Sequence, residues 1–383
     1  MASFRFFTAG ESHGACLIAL IEGLPAGLKI DEERIDEALA RRQRGYGRGG
    51  RMTIEADRAA ILSGLRFGET IGSPITLRIE NKDWVNWQDK MAPFGEPNGV
   101  PVTAARPGHA DYPGVQKYNR QDIRDILERS SARETAARVA AGAVAKAFLS
   151  ACGIEICSRV TDIGGVKAAS DCWPTLEAAG SSDLNCFDPR AQEAMRARIR
   201  EAKEAGDTLG GVFEVIVRGV PVGLGSHIQW DRRLDARLAA AFMSIQAVKG
   251  VEIGEGFRYA ALPGSLAHDE MYVDDAKRVY RRTNYAGGIE GGMSNGEEIL
   301  LRAVMKPIPT LMTPLHTVDI ATKEAVLAAK ERSDVCAVPA ASLVGEAMAA
   351  LILAGEVREK FGGDSMEDVL AALHAYRERL AGM

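Results

Sequence analysis

From Ser131 to Cys152 the chain reads SARETAARVAAGAVAKAFLSAC, and after Arg138 only Lys146 and Ser150 are polar. A helix that is apolar nearly all the way round has no face to offer water, so it must be enclosed. Its alanines and Gly142 let neighbouring elements approach closely. A second Ala-rich run, roughly 340–354, makes the same demand. The expected fold class is therefore α+β, a β-α-β sandwich in which β-rich layers enclose Ala-rich helices.

The strands repeat as well. Residues 14–28 read GACLIALIEGLPAGL and residues 210–224 read GGVFEVIVRGVPVGL, each an apolar run ending in a G-x-P-x-G-L turn. Helices led by Asp31 and Asp231 are expected after the two copies. GSPITLRIEN from Gly72 is matched by GEEILLRAVM from Gly296. These echoes predict one domain over 1–383, built from pseudo-duplicated halves of about 1–200 and 201–383, with a site where the halves meet. Segments 86–101 and 168–190 have the composition of surface loops, and the tail from Asp364 that of an amphipathic helix.

A net charge of −5 argues against bulk nucleic-acid binding, although arginine outnumbers lysine 34 to 13. No apolar stretch is expected to reach membrane-spanning length, and the N-terminus lacks a signal-peptide layout. The six cysteines form no C-x-x-C pair and fit no common zinc spacing, so no metal is expected and the thiols suit a reducing cytoplasm.

The chemistry concentrates in residues 106–146. A histidine, His109, stands between an Arg-Pro-Gly turn and Asp111, and Arg129, Ser130, Ser131, Arg133 and Glu134 crowd the start of the long helix. Helix starts favour anions, arginine forks suit phosphate and carboxylate, and an imidazole can move a proton. Ser131 and Glu134 also spell an S-x-x-E capping box, which needs no ligand. RRQRGYGRGGRM at 41–52 carries five arginines, four glycines and no acid. It suits a Gly-rich loop closing over a compact polyanion better than a short, unrepeated RNA-binding segment. GESHG at 10–14 places Ser12 and His13 in a glycine-flanked turn, and Leu209 takes the histidine's place in the second copy, so the turn itself does not require His13.

In order, GESHG with IEGLPAGL, RRQRGYGRGGRM, RPGHADYPG, ERSSARETAARVAAGA, SIQAVKGVEIG, GGIEGGMSNG, KPIPT and RSDVCAVP resemble the chorismate synthase family from residue 10 to about 350. Tyr285 departs from it, standing where Asn or His is expected. The resemblance implies a trans-1,4-elimination of phosphate from 5-enolpyruvylshikimate 3-phosphate to give chorismate. It also implies a requirement for reduced FMN without net redox change, a cytoplasmic homotetramer, and NADPH as a possible reductant. By the same resemblance, the flavin would lend an electron to the substrate as phosphate leaves and recover it after the ring C–H bond breaks.

Carried over residue by residue, the resemblance assigns Arg42, Arg48, Arg51, Arg106, Arg133 and Arg332 to the substrate's anionic groups. His13 would give a proton to the departing phosphate, and His109 would act at the flavin's pyrimidine edge. Asp334, assisted by Ser12, would act near flavin N5 and help remove the ring proton. The flavin-contacting positions would be Arg129, Ser130, Ser131, Gln246, Ala247 and Gly291, followed by Lys306, Pro307, Ile308, Pro309, Thr310 and Arg332. Arg42 and Arg48 also match positions that contact a nicotinamide nucleotide.

Overall fold

The computed structural model describes residues 4–48, 56–169, 182–329 and 334–383. Arg51 and Arg332, most of the loop expected at 168–190, and the end of the 41–52 motif lie outside the described residues.

Two antiparallel sheets carry the architecture. The first contains β1 (Arg5–Ala9), β2 (Cys16–Glu22), β3 (Ala59–Ser63) and β4 (Ile75–Glu80), in the order β1-β2-β4-β3. The second contains β5 (Glu155–Ile163), β6 (Gly211–Arg218), β7 (Val248–Ile253) and β8 (Ile299–Met305), in the order β7-β8-β6-β5, with the short strand Val166–Lys167 beyond β5. Read from the other edge, the second order repeats the first. The turns after β2 and β6 also match: Gly23 and Gly27 have φ of +90° and +83°, and Gly219 and Gly223 have +76° and +84°. Only glycine takes such angles freely, which explains why both copies keep it.

Strict alternation in β2 buries Leu17, Ala19 and Ile21, and alternation in β8 buries Ile299, Leu301 and Ala303. Those inner faces meet helices α1 (Glu32–Gln43), α4 (Thr135–Ala151), α6 (Leu234–Met243) and α7 (Val338–Phe361). Helices α2 (Asp111–Tyr118) and α3 (Arg124–Ser130) form a smaller core of Ala105, Val115, Ile123 and Ile126. Helix α5 (Pro189–Glu204) packs by Met195 and Ile199, and α8 (Met366–Ala381) closes the described chain behind a Ser365/Asp368 capping box. At the centre α4 and α7 touch backbone to backbone. A Cβ placed on Gly142 would lie 2.3 Å from the Ala347 Cβ. Residues 86–101 run along the surface, mostly exposed.

Three local expectations are corrected. Helix α7 is 24 residues long and, by length and composition alone, could cross a membrane; 89% of its apolar window is buried inside the protein, so it serves as a core helix. Asp231 does not lead α6. A 3-10 turn over Trp230–Arg232 intervenes, and the helix starts at Leu234. Finally, Ser131 and Glu134 form no capping box. The Ser131 Oγ accepts the Arg133 N–H at 3.3 Å, whereas the Glu134 carboxylate turns away to Gln246 at 2.6 Å and Arg138 at 2.7 Å. Cationic and amide donors across the helix hold that carboxylate more strongly than a single backbone N–H would.

Candidate active site

The last turn of α1 and the loop after it reach the start of α4 and the residues just before α7. Asp57, buried ahead of β3, is the hub of the first contact. Its two oxygens accept from Arg133 Nη1 at 2.7 Å each, and one also accepts from Arg42 Nη2 at 3.1 Å. Arg133 Nε donates to Asn81 Oδ1 at 2.9 Å, and Arg42 Nη1 donates to Thr135 Oγ1 at 3.3 Å. Two guanidinium groups thus share one carboxylate, with both arginine side chains about 95% buried. Burial lowers the Arg42 guanidinium to about 10 against the pull of Asp57, and the nearby Arg48 and Arg133 charges push the same way as burial. Arg42 Nε has no hydrogen-bond partner among the described residues. The corner therefore gathers guanidinium groups out of water, and Arg42 in particular is held in an arrangement that an anion would relieve.

Arg48 extends this corner toward the second half. Its Nη1 lies 2.7 Å from Asp334 Oδ2. The Val335 N–H donates to the Gly47 carbonyl at 2.8 Å, and the Leu209 N–H donates to the Val335 carbonyl at 2.8 Å. Residues 334–336 are thereby stitched between the arginine-rich loop and the entry to β6. Arg41, Arg42 and Arg48 of this motif turn inward onto carboxylates, Arg41 lying 3.5 Å from buried Glu346, whereas Arg44 is exposed; such pairing disfavours an open nucleic-acid surface.

Each histidine sits on a buried carboxylate. Glu128 of α3 accepts the His13 backbone N–H at 2.8 Å and faces His13 Nδ1 at 2.9 Å, while the opposite face of the ring zone is closed by Trp87, stacked 4.0 Å away. Burial pushes the Glu128 carboxyl up, but its bonds to His13 and the charge of Arg124 outweigh this and leave it below the usual range. Ser12 is buried alongside, donating its N–H to the Glu128 carbonyl at 2.9 Å. His109 Nδ1 lies 2.5 Å from Asp111 Oδ1, and the Arg106 fork grips the same carboxylate at 2.8 and 3.0 Å. Burial again opposes ionisation of Asp111, and the hydrogen bonds from His109 and Arg106 win, holding it well below the carboxylate range. Arg106 is thus committed to Asp111. The α2–α3 unit carries both histidine supports, since His109 precedes α2 and Glu128 lies on α3.

The positions assigned to flavin fall into three sets. Lys306 follows β8 and donates Nζ to the Gly108 carbonyl at 2.5 Å, so residues 306–310 adjoin the His109 loop. Thr208 secures that segment by donating to the Ile308 carbonyl at 2.7 Å, and Thr310 is buried. Gln246 and Ala247, with Ala247 at φ +65°, lie beside the α4 start, where Gln246 Nε2 donates to Glu134. Here Gln246 Oε1 and Glu134 Oε2 are both buried and without a hydrogen-bond partner among the described residues, two acceptors that bound donors would satisfy. A flavin's ring N–H and ribityl hydroxyls are donors of that kind, so the residues present fit the group.

Other assigned positions do structural work or lie elsewhere. Arg129 donates to the carbonyls of Gly10 and Thr8 at 3.0 and 2.8 Å, and Ser130 caps back onto the Ile126 carbonyl at 2.9 Å. Gly291 is not brought to Lys306. It neighbours Gly292, whose carbonyl accepts the Leu234 N–H, at the end of the sheet where β6 leaves, whereas Lys306 follows Met305, the partner of Gly211 at the opposite end. The intervening strand length is on the order of 20 Å. Tyr285, whose carbonyl accepts the Glu255 N–H, is also at the end remote from Lys306.

The sequence reading missed Glu128, Asp57, Asn81 and Trp87. Acids within or just beyond the arginine-rich segments were the available signal for Glu128 and Asp57.

A family model described as chorismate synthase matches residues 4–357. The chain is similar to the chorismate synthase of Geobacter sulfurreducens, with 58% identity covering 98% of each chain, and to that of Alkaliphilus metalliredigens, with 56% identity covering 97% of this chain and 99% of the other. It is also similar to a solved structure titled crystal structure of chorismate synthase, at 44% identity and a TM-score of 0.80, covering 100% of this chain and 99% of that one.

Proposed function

The chain belongs to the chorismate synthase family, the phosphate-eliminating lyases of the shikimate pathway to aromatic amino acids, and we propose that it performs this elimination with reduced FMN at the corner between α1, α4 and α7. The substrate, 5-enolpyruvylshikimate 3-phosphate, carries a phosphate and two carboxylates. The observation that carries the reading is the convergence of three guanidinium groups, with buried Asp57 shared by Arg42 and Arg133, and Arg48 near enough to lower the Arg42 guanidinium further. The N-terminal ends of α4 and α7 add two positive dipole ends to the same corner.

In this reading Arg42, Arg48 and Arg133 hold the substrate's anions in register, and Arg51 and Arg332 are assigned to the same task on resemblance. Arg106 acts through Asp111, fixing His109 rather than gripping substrate. His13 gives its proton to the departing phosphate, so that the leaving group goes as a less charged anion. Asp334, tied to Arg48 and supported by Ser12, receives the ring proton. Reduced FMN, when bound, would supply the electron density that departure of phosphate calls for. Gln246, Ala247, Ser131 and residues 306–310 would hold it, with His109 beside its pyrimidine edge; Gly291 and Tyr285 are left out of this pocket. Contact with a nicotinamide nucleotide through Arg42 and Arg48, which the resemblance also implies, would use the same guanidinium groups as the substrate, with NADPH serving as the reductant.

We place the chain in the cytoplasm, a reading supported by the five described cysteines, all unpaired. Homotetramer assembly is carried over from the resemblance.

The test is an anaerobic assay with enzyme, substrate and chemically reduced FMN, scored for both phosphate and chorismate. Equal release of the two products, absent without flavin, is expected. Phosphate release indifferent to flavin would sink the reading in favour of a flavin-free phosphate lyase.

A further inference from the structure

We infer that Glu128 is a positioning residue for His13: its carboxylate accepts the Nδ1 proton and fixes the tautomer, so that proton exchange with the departing phosphate runs through Nε2. The inference rests on the role proposed above for His13.

The geometry carries it. Three donors converge on the two oxygens of Glu128. Its Oε2 accepts the His13 backbone N–H at 2.8 Å and lies 3.1 Å from His13 Nδ1, and its Oε1 faces both His13 Nδ1 at 2.9 Å and Arg124 Nη1 at 3.0 Å. The residue is 2% exposed, so water does not substitute for these bonds. An ionised carboxylate is acceptor-only and satisfies all three donors together. A carboxamide cannot. Wherever its NH₂ points, it meets either the His13 backbone N–H, or Arg124 together with Nδ1, and in the second case Nδ1–H keeps only the longer 3.1 Å contact to the other oxygen, so that tautomer is held less firmly. Trp87 completes the clamp. It stacks on His13 at 4.0 Å, is held by Asp83 through Nε1 at 2.9 Å, and lies under the Arg124 guanidinium at 4.8 Å. The ring is therefore fixed in plane by stacking and in rotation by Glu128. A base oriented by a third group through its other nitrogen is the logic by which imidazoles are set for proton transfer. Glu128 touches neither substrate nor flavin in this scheme, so it acts through His13 alone.

The experiment uses the full chain labelled with ¹⁵N-histidine, with the His13→Asn variant identifying the His13 signals. Two-bond ¹H–¹⁵N correlation spectra at about pH 8, where an ordinary imidazole is neutral, are expected to show wild-type His13 protonated at Nδ1. Glu128→Gln is expected to move that population toward Nε2–H. It should also lower kcat by roughly 10²-fold, the scale of acid–base catalysis, with KM changed by no more than about threefold, the pattern of an interaction made in the transition state. Wild-type His13 protonated at Nε2 overturns the inference without any variant, and so holds even where Glu128→Gln does not fold. An unchanged tautomer or an unchanged kcat in folded Glu128→Gln overturns it too. Normal turnover by His13→Asn would instead refute the role proposed for His13, and the spectra alone would then decide whether Glu128 sets the ring.

Discussion

At the scale of single residues, the site is organised by buried acids. Asp57 is the most exacting, because Arg42 and Arg133 both depend on it and neither can reach water. Replacing it by Asn removes the carboxylate that two buried guanidinium groups share. Asp57→Asn is expected to destabilise the fold by about 3–5 kcal/mol, the range for breaking a buried ion pair from one side, measured by urea unfolding. Glu128 and Asp111 make a separate contribution that depends on pH. Both are held below their ordinary values when folded, by His13 with Arg124 and by His109 with Arg106 respectively, against the upward push of burial. The unfolded chain therefore binds protons first as pH falls. The stabilisation is complete above about pH 5 and is lost as pH drops through the ordinary carboxylate range toward the lower folded values. Urea midpoints should stay level from pH 7 to 5 and then fall, and Asp111→Asn should flatten that fall. A midpoint that rises on acidification would contradict the assignment.

At the scale of elements, the crossing of α4 and α7 sets where their first turns lie, and those turns border the arginine corner. Gly142 makes the crossing possible, since any side chain there would strike Ala347. In an isolated helix Gly to Ala gains up to about 1 kcal/mol. Here overpacking opposes the gain, typically by about 1–3 kcal/mol and more where backbone must move. Gly142→Ala is expected to be destabilising overall and to weaken substrate binding by shifting Arg133. Adding Ala347→Gly should restore part of both losses, because the nearest clash is with that methyl group; a double-mutant cycle showing no coupling would place the tolerance of this crossing elsewhere.

At the scale of the molecule, two sheets with one strand order enclose a shared layer of helices, and neither half has a core that closes without the other's helix. We propose on this ground that 1–383 is one domain of two halves, about 1–200 and 201–383. Thermal or urea unfolding followed by far-ultraviolet circular dichroism and by tryptophan fluorescence should trace a single coincident transition. Two separated transitions would mean that the halves fold as independent units.

What the sequence determined by itself is what contiguous residues encode. An apolar helix must be enclosed, alternating runs must be strands, paired glycines after them must be turns, and an arginine-rich loop must have anions to answer. The ordered motifs then fixed the family. Tertiary structure alone decided which partner each charge meets. Glu128 reaches His13 across 115 residues, and Glu134 abandons the Ser131 cap for Gln246, 112 residues away. Gly291, grouped with Lys306 by resemblance, ends at the other end of a sheet. A sequence states that a carboxylate is present, but its partner depends on strand register and helix crossing, and these are settled only when both sheets close over the same helices.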